Sequence, residues 1–331
     1  TSIDNLIGWW DFTDASSMYI DAVSTTTSNS GLTNVSADGD VITLIDNKAY
    51  TQQSNTTTAL GKFAKSLRGS NAEGSTVSSP IYSTGGDGGY SYACFPGGGA
   101  STANLGFMSG NSSTKGAVAT NTFSNSKIDL DDFTIFLVCR PRTTDSDHST
   151  TLGPCLFGLH NRTLIDTDGN GTLDGASNTR FRIEQTPDAS GDHMSIVITG
   201  DGSDIETTII DSKTQLWTVV GAGSGNSKFY KNGDTSLGIT NGDLGSNTLG
   251  YDLSGVGGMF HPNDSIFIGE RKVFSNAAFG QNQCNWGGLN NDDIDGSRVN
   301  AIYEIVFYNK NLSSSDTSSV EAYLKSKYNI S

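Results

Sequence analysis

Apolar residues fall in short runs along the whole chain. They include Leu6–Phe12 (LIGWWDF), Val41–Asp46 (VITLID), Phe133–Cys139 (FTIFLVC) and Cys155–Leu159 (CLFGL). Others are Phe181–Gln185, Met194–Gly200, Glu206–Asp211, Leu216–Gly223, Lys228–Gly233, Ser265–Glu270 and Asn300–Asn309. These runs have strand length, many alternate or are continuously apolar, and Gly, Asn, Asp or Ser bound them, the pattern of β-strands. Asn232-Gly233 within YKNGD predicts a tight hairpin, because both residues tolerate the positive φ that such turns need.

The period changes at the end of the chain, where LSSSDTSSVEAYLKSKYNIS predicts one amphipathic helix. Ser313 to Ser315 supply a cap, and Val320, Tyr323 or Leu324, and Lys327 or Tyr328 recur at three- and four-residue spacing, giving one apolar face to pack on the strands. Between the apolar runs lie long polar tracts, Ser24–Asp40, Thr51–Tyr82, Gly97–Asn125 and Ser275–Asn300. None reads as a Pro-rich or Gly/Ser linker between two cores, and no internal repeat is visible. The expectation is one all-β domain over residues 1–331, with long loop insertions and one C-terminal helix.

Composition changes this picture mainly by exclusion. The chain carries 35 acidic against 20 basic residues, a formal net charge of −15, and no Lys/Arg cluster. Nucleic acid is therefore excluded as a partner, whereas solubility, saline surroundings and cation binding all suit the acidity. No stretch is long enough to span a bilayer, so membrane insertion is not expected. Cys94, Cys139, Cys155 and Cys284 show no C-x-x-C spacing and no disulfide framework, and whether two of them pair stays open. Cys139, inside an apolar run, reads as a small core residue.

Two acidic stretches are candidate sites. Asp166, Asp168, Asn170, Gly171, Thr172 and Asp174 match the first nine positions of a calcium loop, D-x-D-x-N-G-x-x-D. Oxygen ligands at alternate positions converge on one point only in a tightly coiled chain, and glycine at the sixth position permits that coil. Thr172 would contribute its backbone carbonyl. Composition alone would produce the first six positions in roughly one such chain in eight, and with Asp174 in about one in a hundred. Ser177 stands where a bidentate Glu would close the loop, and no amphipathic helix flanks it, so the expectation is a structural calcium clip of modest affinity. The alternative is an Asx-rich turn. The second stretch is WGGLNNDDIDG, in which Trp286, Gly288, Asn290, Asn291 and Asp292 combine an aromatic platform, a glycine and amide and carboxylate groups suited to a sugar. A solvated turn anchored by its Trp is the alternative.

Catalytic signatures are missing. The six glutamates, Glu73, Glu184, Glu206, Glu270, Glu304 and Glu321, never lie two apart, so no strand presents the E-x-D-x-E pattern that sets paired carboxylates on one face. Glu304, within IYEIVFY, reads as a structural carboxylate of the last strand. The four histidines are solitary, and neither a Walker loop nor a G-x-S-x-G elbow occurs. Trp9 and Trp10 face opposite sides of one strand, one toward the core and the other toward the helix or a loop.

GWWDFTDASSMYID, SADGDVITLIDNK and the following TQQ resemble the opening of concanavalin A-like, laminin G-like modules of bacteriophage virion proteins and bacterial surface proteins. DDFTIFLVCRP, LWTVVGAGSGNSKFYKNGDTSLG, SIFIGE and the final IYEIVFYNKNLSSSDTSSVEAYLKSKYNI resemble their later strands and closing helix. The resemblance implies a concanavalin A-like jelly-roll β-sandwich. It also implies a non-catalytic virion structural or attachment protein, a decoration or tail-fibre component at a virion surface or outside the cell. Its partner would be a neighbouring virion protein or a host-surface glycan; the oligomeric state stays open. A secreted carbohydrate-binding module is the rival, and a divergent glycoside hydrolase the more distant one, since this fold hosts all three.

Overall fold

The computed structural model describes residues 4–21, 30–52, 63–66, 80–94, 107–110, 132–141, 155–160, 179–188, 191–198, 204–209, 213–222, 226–242, 265–268, 270–275, 278–285 and 301–331. Strands of the first half are β1 (Leu6–Asp11), β2 (Met18–Tyr19), β3 (Leu44–Asp46), β4 (Phe63–Ser66), β5 (Ile81–Ser83), β6 (Tyr92–Cys94), β7 (Phe107–Gly110), β8 (Phe133–Arg140) and β9 (Cys155–His160). Those of the second half are β10 (Thr179–Asp188), β11 (Gly191–Ile198), β12 (Asp204–Ile209), β13 (Gln215–Gly221), β14 (Ser227–Lys231), β15 (Asp234–Gly242), β16 (Ser265–Ile268), β17 (Glu270–Ser275), β18 (Ala278–Asn285) and β19 (Ala301–Tyr308). Among the described residues there are also two α-helices, α1 (Lys48–Gln52) and α2 (Ser314–Tyr328), and two short 3-10 turns, Ala15–Ser17 and Asp87–Gly89. The protein is all-β with a C-terminal helix, and its strand pairs are antiparallel.

An eight-stranded sheet runs β15-β14-β13-β8-β19-β6-β5, with β1 also paired to β19, and a nine-stranded sheet runs β12-β11-β10-β9-β16-β7-β4-β3-β2. One core lies between them. Phe133, Ile135, Leu137, Cys139, Trp217, Val219, Ile305 and Phe307 from the first meet Met18, Ile45, Leu156, Phe157, Ile183, Met194 and Ile196 from the second. Phe157 and Phe307 touch edge to face across the layers, centroids 5.7 Å apart. A second core lies on the other face of the eight-stranded sheet, under α2. There Leu312, Val320, Leu324 and Tyr328 cover Phe136, Val138, Leu216, Tyr303, Val306 and Tyr308. These two cores explain why β8, β13 and β19 are apolar without alternation: both faces are buried.

Helix α2 starts as its sequence predicts. Ser313 Oγ accepts from the Asp316 N–H at 3.1 Å, and Asn329 ends the helix in the left-handed region. Of the two apolar candidates, Leu324 is buried, at roughly 1.5–3 kcal/mol of removed apolar surface, while Tyr323 is 51% exposed. The hairpin also follows its prediction, with Asn232 at φ 56° and Gly233 at φ 73° joining β14 to β15. Cys139 lies in the core, and both it and Cys94 are unbridged.

Other elements escape the periodicity. Strands β4, β7 and β18 lie within tracts that read as loops, and α1 is a second, five-residue helix. Each is too short, or too poor in apolar residues, to show a period. The segment before β3 crosses between the layers. Gly39 N–H bonds to the Tyr82 carbonyl and Ile42 N–H to that of Pro80, at the edge of one sheet. Thr43 N–H then bonds to the Tyr19 carbonyl at the edge of the other. On the opposite side β12 lies against β15. Sheet edges that invite foreign strands are thereby covered.

Candidate functional site

The predicted calcium ligands Asp166, Asp168, Asn170, Thr172 and Asp174 lie outside the described residues. So do Trp286, Gly288, Asn290, Asn291 and Asp292. The strands that carry these tracts are described, and their register sets where each tract is tied. Tract 161–178 runs from His160 to Thr179, which are paired partners. His160 also pairs with Ser265, and Ser265 with Gly110. His160, Thr179, Ser265 and Gly110 therefore stand together at one end of the nine-stranded sheet. In the other sheet, Ala301 pairs with Cys94 and Arg140.

Within the described residues, ionisable groups concentrate where β1, β19, α1 and α2 meet. A bulge creates the arrangement. Ile302 pairs with Cys139 and Glu304 with Val138, so Tyr303 is an extra residue in β19. Ile302 and Ile305 point into the core between the sheets, while Tyr303 and Glu304 both turn toward α2. Glu304, fully buried, accepts from Trp9 Nε1 at 2.6 Å, from Lys327 Nζ at 2.7 Å and from the Tyr328 hydroxyl at 2.7 Å. Lys327 also reaches Asp11 Oδ2 at 3.0 Å, and Lys48 reaches Asp11 at 2.9 Å and Asp14 at 2.7 Å. The Lys48 ammonium stands 5.5 Å from the Trp9 ring centroid. Trp10, by contrast, is wholly buried between the sheets, so the two tryptophans divide as their strand position predicts.

Burial pushes the Glu304 carboxyl above its ordinary range, the nearby charge of Asp11 adds to that, and Lys327 and Tyr328 oppose it. Burial acts the same way on Asp11, but Lys327, together with hydrogen bonds from Lys48 and Thr13, outweighs it and holds Asp11 below the usual aspartate value. Both lysines are raised, because their carboxylate partners outweigh the burial that would lower them. Two carboxyls displaced in opposite directions are the electrostatic signature of an acid–base pair. The geometry denies that use. Glu304 spends its acceptors on Trp9, Lys327 and Tyr328, and α2 lies over it, so a substrate has no approach. The cluster is a clasp, and Glu304 is the structural carboxylate that its place in the sequence suggests.

A smaller polar knot sits at the Ala301 end. Asp87 accepts from Arg140 Nη1 at 3.1 Å and from the N–H and hydroxyl of Thr214, both at 2.9 Å. The Tyr303 hydroxyl accepts from Asp87 N–H at 3.2 Å. Gly86 makes this approach feasible, since a β-carbon there would stand 2.7 Å from the Tyr303 hydroxyl. The knot pins a glycine-rich turn to β8, to β19 and to the residue that precedes β13. No group of three or more His, Cys, Asp or Glu residues able to hold a metal occurs among the described residues. No helix among them is long and apolar enough to cross a membrane.

Lys48 and Asn47 carry no pattern in the sequence that marks them as site-building residues, and Lys327 shows only as a face position of the C-terminal helix; the one signal is their place in the segments that resemble virion modules.

No protein-family model matches the chain, and no curated protein does. Among solved structures it is similar to the Trypanosoma rangeli sialidase, at 12% identity and TM-score 0.38, over 97% of this chain and 33% of that one. It is also similar to the botulinum neurotoxin serotype G binding domain, at 12% identity and TM-score 0.33, over 80% and 49% of the two chains. A third likeness is to the binding domain of Paraclostridial Mosquitocidal Protein 1, at 14% identity and TM-score 0.33, over 73% and 45%. The chain thus spans a third to a half of the length of these proteins, and likenesses at such TM-scores decide neither its activity nor its ligand.

Proposed function

We propose that this chain is a non-catalytic binding module, one concanavalin A-like jelly-roll β-sandwich over residues 1–331, working at a virion surface or outside the cell. Its partner is a neighbouring virion protein or a host-surface glycan. The virion setting rests on the resemblance of the WDFTD, DGD and closing-helix segments. The observation that carries the non-catalytic reading is the disposition of Glu304, which among the described residues is paired across β1 with a second displaced carboxyl, Asp11, and is sealed under α2 and bound by three donors. The strands form the scaffold, and the polar tracts between them carry recognition. Calcium held by Asp166, Asp168, Asn170, Thr172 and Asp174 orders one of those tracts, reducing the ordering entropy that opposes binding. It does no chemistry.

Two measurements on the isolated chain test this. A glycan array reads sugar binding, and co-sedimentation with virion proteins reads assembly. Tight association with a capsid or tail protein and silence on the array support the structural role. Sugar binding lost in Trp286→Ala supports recognition of a host glycan, or the rival carbohydrate-binding module. Turnover of a polysaccharide by the purified chain would overturn the non-catalytic reading.

A further inference from the structure

We infer that the two ends of the chain form one cooperative clasp, in which β1, α1 and α2 open and close as a unit. The covalent chain separates α2 from β1 and α1 by more than two hundred and fifty residues, yet a continuous set of buried and part-buried polar contacts joins them. Lys327 of α2 bonds to Asp11 of β1 and to Glu304 of β19. Glu304 binds Trp9 of β1 and Tyr328 of α2. Lys48, at the start of α1, bonds to the same Asp11 oxygen as Lys327. Asn47, 1% exposed, accepts from the Trp9 N–H and donates to the Ile7 carbonyl.

Each member shares a partner with another, so no element leaves without stranding charge. If α2 lifts, Glu304 loses Lys327 and Tyr328, and Asp11 loses Lys327. If β1 leaves, Lys48 and Lys327 lose the Asp11 oxygen that both of them grip. Low local dielectric makes each loss expensive, which is the condition for concerted opening rather than independent fraying. Among the described strands β1 pairs only with β19, so the clasp supplies what a second strand neighbour gives elsewhere. The N-terminal strand is consequently stable only with the C-terminal helix in place.

Native-state hydrogen exchange on the full chain across a urea series tests this. The amides of Trp9 and Phe12 in and after β1, Tyr50 in α1 and Ile330 after α2 are expected to share one opening isotherm, distinct from that of Ile42 and Tyr82. Lys327→Met should speed exchange of that whole set about 100-fold, less than breaking a fully buried ion pair because the Lys327 side chain is 21% exposed, and leave Tyr82 unchanged. Tyr328→Phe, a milder change, should move the same set by less. If Lys327→Met does not fold, the native isotherms and Tyr328→Phe decide. Separate isotherms for β1 and α2, or one isotherm for every amide in the chain, would overturn the inference.

Discussion

The side-chain amide of Asn47 is joined to β1 beside Trp9 in the way a neighbouring strand would be. Its oxygen accepts from the Trp9 N–H at 2.8 Å and its nitrogen donates to the Ile7 carbonyl at 3.0 Å. The same oxygen accepts from the Ala49 N–H at 3.1 Å, which starts α1. One buried side chain thus occupies the free edge of β1 and anchors the short helix beside it.

Replacing Asn47 with Ala leaves a buried donor and a buried acceptor on β1 without their partner. Such groups cost about 1–3 kcal/mol each. Asn47→Ala is expected to lower the stability of the chain by about 2–4 kcal/mol, read as a shift in the urea midpoint without a change in slope. Asn47→Asp keeps the acceptor and loses the donor, and should fall between Ala and the native chain. Equal midpoints for all three would show that the amide is dispensable.

Acidification separates the two displaced carboxyls. The Asp11 value is lowered, so its contribution is present above its ordinary value of 3.8 and is lost as the pH falls through the depressed folded-state value. The Glu304 value is raised, so its charged form costs stability. That cost disappears as the pH falls through the raised value toward 4.5. Melting temperature should therefore hold level or rise slightly on the way down to pH 4.5, then fall below pH 3.8. Asp11→Asn is expected to flatten the acid fall, and Glu304→Gln to abolish the rise. A profile that drops steadily from neutral pH in the native chain would contradict the assignment.

Calcium is expected to raise the melting temperature, and EDTA to lower it. At ten times the dissociation constant the linked stabilisation is about 1.4 kcal/mol. Asp168→Ala should erase the difference between the two conditions while leaving the EDTA melting curve in place. If calcium and EDTA give the same curve in the native chain, residues 166–174 form an Asx-rich turn.

Gly233 tests the hairpin. Its φ of +73° is a conformation that an L side chain adopts at a cost of roughly 1–2 kcal/mol. A β-carbon there would also stand 3.2 Å from Glu321 Oε2 on α2. Gly233→Ala is expected to destabilise by at least the backbone cost, measured by thermal or urea unfolding. Ser236→Ala, on the exposed strand beyond the turn, is the control and should change the midpoint little.

Local chemistry alone determined much of this protein. Phe133–Cys139, Leu216–Gly223 and Asn300–Asn309 announce strands because their apolar runs are bounded by turn residues. Asn232-Gly233 announces its hairpin because few other pairs tolerate positive φ twice. Ser313 announces a helix start because its hydroxyl can serve an orphan N–H. The separation of Trp9 from Trp10 follows from strand pleat, and Cys139 follows from the run that contains it. Tertiary structure decided the rest. The alternation of β19 would send Tyr303 and Glu304 to opposite faces, and only a bulge against β8 turns both toward α2. Lys48 and Lys327 look like solvated charges until β1 and β19 bring carboxylates to them from the two ends of the chain. Strands β4 and β7 have too few residues for a period and exist because neighbouring strands supply their hydrogen bonds. Local propensity is written in adjacent residues. A shared partner such as Glu304, which holds Trp9 and Lys327 together, comes into being only when the chain closes.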